Sequence, residues 1–207
     1  MQNAQLTDSY QRQFTYLRLS VTDACNFRCN YCLPDGYCPT NTEPYLSLEE
    51  IQSVVSAFAL NGIRKIRLTG GEPTLRKDLA EIIALCKSTT GIETLALTSN
   101  GYRINKQLKH YVDAGLDQLN LSIDSLVPET FRLITGHNKL TEVLMAVEQA
   151  ISLGLKKVKI NSVLMREYNN NEMQTFLNFV KDRPVSLRFI ELMQTGDNQA
   201  FFKQQHV

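Results

Sequence analysis

TYLRLSVTDACNFRCNYC, Thr15–Cys32, joins two kinds of sequence. In its first seven residues Leu17, Leu19 and Val21 alternate with Arg18 and Ser20, the period of a β-strand with unlike faces. The polar loop that follows carries Cys25, Cys29 and Cys32, spaced C-x3-C-x2-C. Tetrahedral zinc sites and cubane iron–sulfur clusters normally take four protein ligands, so this loop is one short. A strand opening into a loop rich in ligands is the form taken by α/β proteins, whose sites gather at the carboxyl ends of the strands.

The same form recurs along the chain. KIRLT (Lys65–Thr69) runs into GGEP, TLALT (Thr94–Thr98) into SNG, and DQLNLSI (Asp117–Ile123) into DS. KKVKINSVL (Lys156–Leu164) and VSLRFIEL (Val185–Leu192) complete the strands. Between them lie helical runs. Ser47-Leu48-Glu49-Glu50 has the form of a capping box; Leu48, Ile51, Val54, Val55 and Phe58 repeat at helical spacing, and Asn61-Gly62 ends the run. Further helices are predicted over Asp78–Lys87, Asn105–Ala114, Pro128–Ile134, Thr141–Leu153 and Glu172–Lys181. Six β/α units imply a parallel sheet with right-handed crossovers. Either an open doubly wound sheet or a partial (β/α)6 TIM-like barrel would satisfy that count.

The composition is that of an ordinary globular chain. Of 207 residues, 43% are hydrophobic and 21% charged, and the formal net charge of +1 provides no global field for nucleic acid or an anionic membrane. No apolar run approaches the ~18 residues of a membrane span, and the polar start lacks a signal-peptide core. A soluble cytoplasmic protein is expected, with no nucleic acid or membrane partner. The five cysteines, which include Cys38 and Cys86, are an odd number with no secretion signal, and this argues against a disulfide framework.

Several strands are polar on one face, unlike most strands of parallel sheets. Arg18, Arg67 with Lys65, Lys159 with Lys157, and Arg188 each oppose apolar neighbours. If the apolar faces lie under the helices, these cations converge inside and call for a polyanionic substrate. The competing reading is that they snorkel past the rim or pair with internal carboxylates. The cysteines also allow two readings. Three thiolates can hold a 4Fe–4S cluster with one iron open to a small chelating ligand. Recruiting Cys38 instead would close a zinc or electron-transfer site.

CNFRCNYC resembles the signature of radical S-adenosylmethionine enzymes, and TGGEP (Thr69–Pro73) their second motif. With LRLSVTDACNFRCNYCLP, IRLTGGEPTLRKDL, TSNG, LSIDSL, Ile134-Thr135-Gly136, KINSVLM and LRFIELM, the chain resembles the GTP 3',8-cyclase family of molybdenum cofactor (molybdopterin) biosynthesis. The resemblance implies a partial-barrel radical S-adenosylmethionine core. In such lyases Cys25, Cys29 and Cys32 would bind a 4Fe–4S cluster. Tyr31, Gly71, Ser122 and Met193 would contact S-adenosylmethionine, Gly70-Gly71 would let backbone approach its ammonium, and Glu72 would accept from that ammonium. Arg18, Arg67, Thr98 and Lys159 would contact GTP, and Arg188 stands at the family's substrate-facing, candidate catalytic arginine. The implied chemistry is one-electron cleavage of S-adenosylmethionine to a 5'-deoxyadenosyl radical. That radical would take hydrogen from the ribose C3' of GTP, and the nucleotide radical would close onto C8. A flavodoxin or ferredoxin system is the implied electron donor, and a homodimer is left open.

The family's second 4Fe–4S site has no counterpart here, because neither Cys38 nor Cys86 has its spacing, and the family's Gly-Gly tail is absent. The ending AFFKQQHV reads as an interruption. Three segments are therefore expected: an extension over 1–14, the core over 15–196, and over 197–207 the start of a missing segment. The chain is expected to hold the first cluster and S-adenosylmethionine, to bind GTP weakly and to turn over little of it alone. Two alternatives stay open: a related radical enzyme with another substrate, and a non-enzymatic iron–sulfur or zinc module closed by Cys38. TSNG replaces the family's more frequent TTNG but keeps the hydroxyl. His110, His137 and His206 match no ligand spacing and are expected at the surface or at helix ends.

Overall fold

The computed structural model describes residues 5–39, 45–195 and 198–207. The boundary expected at 196/197 falls outside them. Six strands form one sheet: β1 (Tyr16–Ser20), β2 (Lys65–Thr69), β3 (Thr94–Ser99), β4 (Gln118–Ser122), β5 (Lys157–Leu164) and β6 (Val185–Glu191). All pairings are parallel, and the spatial order is the chain order, β1 to β6. A doubly wound sheet reverses its order at a switch point. The unbroken order found here is that of a partial barrel, left open between β1 and β6.

Among the described residues seven helices accompany the strands: α1 (Leu48–Leu60), α2 (Leu79–Ser88), α3 (Leu108–Asp113), α4 (Pro128–Thr135), α5 (Leu140–Ser152), α6 (Met173–Val180) and α7 (Gln199–Gln205). The capping box opens α1 as expected. Ser47 accepts from the Glu50 N–H at 3.2 Å, and the Glu50 carboxylate accepts from the Ser47 N–H at 2.7 Å. The single helix expected over Asn105–Ala114 is divided. Arg103 takes a left-handed φ of 65°, a short 3-10 turn spans Ile104–Lys106, and α3 begins only at Leu108. The helix α7 was not expected. It docks through Gln205, whose carbonyl accepts from the Arg166 N–H at 2.8 Å and whose side-chain oxygen accepts from the Glu167 N–H at 3.0 Å.

Alternation sorts the strand residues as the sequence predicts. Ile66, Leu68, Leu119, Leu121 and Ile160 are fully buried against the helix layer, which supplies Ile51, Val55, Ile82 and Val147. Each such side chain contributes about 1.5–3 kcal/mol, so the outer faces of the strands anchor the sheet. The inner faces are thereby free to carry Arg18, Arg67, Lys159 and Arg188. None of the helices among the described residues is long and apolar enough to cross a membrane.

Candidate functional site

The cysteine loop is built into the top of the sheet. As it leaves β1, the Val21 N–H donates to the Thr69 carbonyl at 2.9 Å. The Gly71 and Glu72 N–H groups then donate back to the carbonyls of Thr22 and Ala24, at 2.8 and 2.7 Å. A Cβ on Gly70 would lie 2.2 Å from the Thr22 carbonyl oxygen, and one on Gly71 would lie 2.3 Å from that of Ala24. Only glycines allow the two loops to lie backbone against backbone. The room expected for a ligand at Gly70-Gly71 is, on the Cβ side, filled by Thr22–Ala24. Farther along, the Arg28 and Asn30 N–H groups donate to the Thr135 and Ile134 carbonyls at 3.2 and 3.0 Å, capping the carboxyl end of α4.

Glu72 was expected to face a ligand's ammonium. Its carboxylate lies in the interior, 1% exposed. It accepts from the Thr74 N–H and hydroxyl (3.1 and 2.6 Å), the Ser99 hydroxyl (2.8 Å) and the Asn100 N–H (2.7 Å). Burial still pushes its pKa up against those bonds. In this structure Glu72 ties the loop after β2 to the loop after β3.

The three thiols are close enough to feel one another. Burial is the main cause that raises the pKa of each. Glu72 and Cys32 add to the rise at Cys25, Asp124 followed by Cys25 and Cys32 at Cys29, and Asp124 at Cys32. Cys86 stands apart in the core, where burial alone pushes it up to about 12. Among the described residues no three His, Cys, Asp or Glu side chains are grouped to hold a single metal ion. A mononuclear tetrahedral site needs its ligands to converge on one point. A four-iron cube instead sets each thiolate on its own iron. The chemistry of the donor set fits a cube: three thiols on one loop, each disfavoured as an anion until cations arrive. Cys38 is exposed, as Cys32 is.

One residue of this cluster was not singled out from the sequence. Asp124, in LSIDSL, is 3% exposed. Its Oδ2 accepts from the Tyr31 hydroxyl at 2.9 Å, and its Oδ1 from the Val163 N–H at 2.8 Å. Burial outweighs those bonds and raises its pKa to about 6. The same burial, followed by the Asp124 charge, keeps the Tyr31 phenol protonated. Asp124 thus ties the cysteine loop, between Cys29 and Cys32, to β5. A polar residue one step past a strand end was the only signal available in the sequence.

Beside Cys32 lies a cavity of about 280 Å³, mostly apolar and lined by Tyr31, Val163, Ile190, Leu192 and Met193, with Glu191, Thr195 and Asn198. It unites Tyr31 and Met193, two expected cofactor contacts, with one of the cysteines. Gly71 and Glu72 do not line it. Ser122 sits half-buried at the end of β4, in register with Asn161 of β5.

Below the loops the cations gather as alternation predicted. Arg18 and Arg67 are in register on neighbouring strands. Burial lowers the pKa of Lys159, and Arg188, Lys157, Arg67 and Lys65 lower it further. Burial likewise lowers that of Arg67, assisted by Arg18 and Arg188. Among the described residues none of these six cations has a carboxylate partner within 4.0 Å. Among the described residues, then, these cations are not paired internally, while Arg18, Lys157 and Arg188 are exposed, as the snorkelling half of the competing reading expects. The Arg67 Nε, the Thr98 hydroxyl and the Asn161 amide oxygen are buried without hydrogen-bond partners. Such orphans mark places where a polar ligand is wanted.

The histidines separate. His137, expected as a bland surface or helix-end residue, stacks on Phe27 of the cysteine loop (centroids 5.1 Å, 19°). His206 pairs with Glu191 at 2.6 Å, and His110 is exposed.

Comparison with known proteins agrees with this geometry. Residues 19–180 match the model of the Radical SAM superfamily. A GTP 3',8-cyclase of Actinobacillus pleuropneumoniae serotype 5b (strain L20) is 52% identical over 205 residues, 99% of this chain and 60% of the relative. A GTP 3',8-cyclase of Vibrio parahaemolyticus serotype O3:K6 is 53% identical over 205 residues, 98% of this chain and 61% of the relative. The chain thus spans about 60% of the length of the curated relatives it matches. Streptococcus suis SuiB bound to S-adenosylmethionine superposes with a TM-score of 0.71 at 16% identity, over 88% of this chain and 42% of that one. At that identity the likeness concerns the fold, a parallel α/β core of the same kind. With the family match running from β1 to the end of α6, this chain belongs to the Radical SAM superfamily.

Proposed function

We propose that this chain is the catalytic core of a GTP 3',8-cyclase, the first enzyme of molybdenum cofactor biosynthesis. In this reading Cys25, Cys29 and Cys32 hold a 4Fe–4S cluster. The cavity beside Cys32 receives S-adenosylmethionine against Tyr31 and Met193, and the family resemblance adds Ser122 and Gly71 as contacts from outside its lining. When bound, the cluster and S-adenosylmethionine supply one-electron cleavage chemistry and a carbon radical able to take hydrogen. Glu72 acts through the loops it joins, and Asp124 through Tyr31.

The chain's own part is to bind, orient and shield. Arg18, Arg67, Lys159 and Arg188 offer the triphosphate a charged wall. Thr98 and Asn161 have unpaired buried oxygens for the rest of the nucleotide. Arg188, at the end of the series nearest the cysteine loop, is the candidate catalytic contact. The fully buried outer faces of the central strands, with Ile66, Leu68, Leu119, Leu121 and Ile160, fix these side chains and keep water out from behind the sheet there. The observation that carries the reading is the inner wall of cations without carboxylate partners directly beneath a three-thiol loop. The relatives' name gives the polyanion its identity as GTP. The second cluster implied by the family resemblance has no counterpart among these residues, and turnover by them alone is expected to be small. An electron donor of the flavodoxin or ferredoxin kind completes the cycle, and a homodimer is compatible with it.

Equilibrium titration with GTP and with guanosine tests the assignment. Binding that needs the triphosphate, weakens with salt and is lost in Arg67→Met/Lys159→Met supports it. Equal affinity for guanosine, or indifference to those substitutions, overturns it. A clear preference for another nucleotide triphosphate would move the chain to a related radical enzyme.

A further inference from the structure

We propose that the basic rim formed by Arg28, Arg103 and Lys139 is the docking surface for an acidic one-electron donor protein. The inference rests on reading the cysteine loop as a cluster site. Arg28 and Arg103 are exposed to solvent, as are Arg18, Lys157 and Arg188 of the sheet, whereas Arg67 and Lys159 are half-buried. Arg28 stands within the cysteine loop itself, three residues after Cys25 and one before Cys29.

The rim is held together by an aromatic layer. Phe27 stacks on His137 on one side (5.1 Å, 19°) and on Tyr102 on the other (5.9 Å, 24°). The Arg103 guanidinium lies 4.9 Å from the Tyr102 ring centroid, and the Lys139 ammonium lies 5.1 Å from it. Cations held over aromatic faces keep their position without a carboxylate. Arg28 crosses the end of α4 over Gly136, where a Cβ would come within 2.6 Å of its Cγ and Nε. Gly136, at a φ of +75°, therefore both ends α4 and makes room for that arginine.

The charge balance favours an anionic partner. Among the described residues Arg28 and Arg103 have no carboxylate within 4.0 Å, whereas Lys139 is paired with Glu142 at 2.9 Å. His137 is further discouraged from protonating by burial, then by Arg28 and Lys139, as expected where cations crowd. The rim lies over the loops after β3 and α4, in mid-sheet, away from the unpaired edges of β1 and β6. Through Arg28 it includes part of the loop that carries the thiols. A small, polar, charge-steered contact is what a transient redox encounter requires. In the step it serves, the donor loses one electron, the cluster gains one, and no bond or proton moves.

The test is anaerobic stopped-flow reduction of the reconstituted chain by reduced flavodoxin, an acidic flavoprotein, and separately by dithionite. In Arg28→Glu/Arg103→Glu, reduction by flavodoxin should slow by about tenfold or more and lose most of its salt dependence. Iron content and reduction by dithionite should stay at parent values. Arg103→Glu alone, outside the cysteine loop, should give a smaller loss in the same direction if the double variant holds less iron. Lys181→Glu, before β6 at the opposite end of the strands, should change nothing. The docking proposal fails if flavodoxin reduces the charge-reversed protein as fast as the parent, or if Lys181→Glu slows reduction equally. It also fails if heparin, an unrelated polyanion, binds the rim as tightly as flavodoxin does. A parent chain that takes up no iron would instead sink the reading of the cysteine loop, and the docking site with it.

Discussion

The cysteine loop and the inner wall of the sheet are opposites in charge and alike in predicament. Around Cys25, Cys29 and Cys32, burial combined with Glu72 and Asp124 disfavours every thiolate. At Arg67 and Lys159, burial combined with neighbouring cations disfavours the positive charge. Each region lacks counter-ions of its own, the first wanting cations and the second anions. Glu72 shows the other way to bury a charge, with four hydrogen bonds from its own chain and none left wanting. Self-repulsion that the fold leaves uncorrected distinguishes a place that receives a ligand from a place that is merely built.

The largest effect should come from the thiols. Replacing Cys25, Cys29 or Cys32 by Ser should reduce iron uptake on anaerobic reconstitution to about a tenth or less. Cys38→Ser should leave it unchanged. Retention of iron by the three single variants would break the comparison on its first side.

On the second side, Arg67→Met or Lys159→Met should weaken GTP binding by about tenfold to a hundredfold. The same substitutions should stabilise the ligand-free chain, because they relieve repulsion. A gain of ~1 kcal/mol would raise Tm by about 2–4 °C in a domain of this size. A lower Tm in both variants would show that the cations are already compensated.

Asp124 offers a sharper test through pH. Its folded-state pKa of about 6 lies above the ordinary carboxylate value of 3.8. Such a group contributes its full stabilisation below the unfolded pKa and loses it as pH rises through the folded one. Relative to Asp124→Asn, the ligand-free parent should therefore lose stability between about pH 4 and pH 6 and change little above that. The difference should be on the order of 2–3 kcal/mol, measured by denaturant unfolding of both proteins across that range. A constant difference would mean that Asp124 is compensated where it lies. The smallest effect belongs to a purely built position: Ser47→Ala, which removes the α1 cap, should cost about 1 kcal/mol and leave iron and nucleotide binding untouched.

Much of this was legible in the sequence, for identifiable reasons. Strand alternation needs only the period of the backbone, so the faces of β2 and β5 follow directly from KIRLT and KVKINSVL. The capping box of α1 is equally local. The thiol spacing and the convergence of cations also survive the fold intact. What the sequence did not disclose depends on contacts between distant segments. Gly70 and Gly71 face Thr22–Ala24, Glu72 reaches Ser99 and Asn100, and Asp124 meets Tyr31 across 93 positions. His137 gains its place from Phe27, 110 residues earlier in the chain. The helix α7 carries little periodic signal and is held by Gln205, a polar residue that no apolar pattern would select.

The central claim is that the loop is short of a ligand by design and that the vacancy is where S-adenosylmethionine binds. It is tested most directly by the electron paramagnetic resonance spectrum of the anaerobically reconstituted, reduced chain, with iron counted in the same sample. The account predicts close to four iron per chain (~4, as in a cubane), a spectrum that changes when S-adenosylmethionine is added, and the same behaviour in Cys38→Ser. A spectrum indifferent to S-adenosylmethionine, or a cluster lost with Cys38, would contradict it.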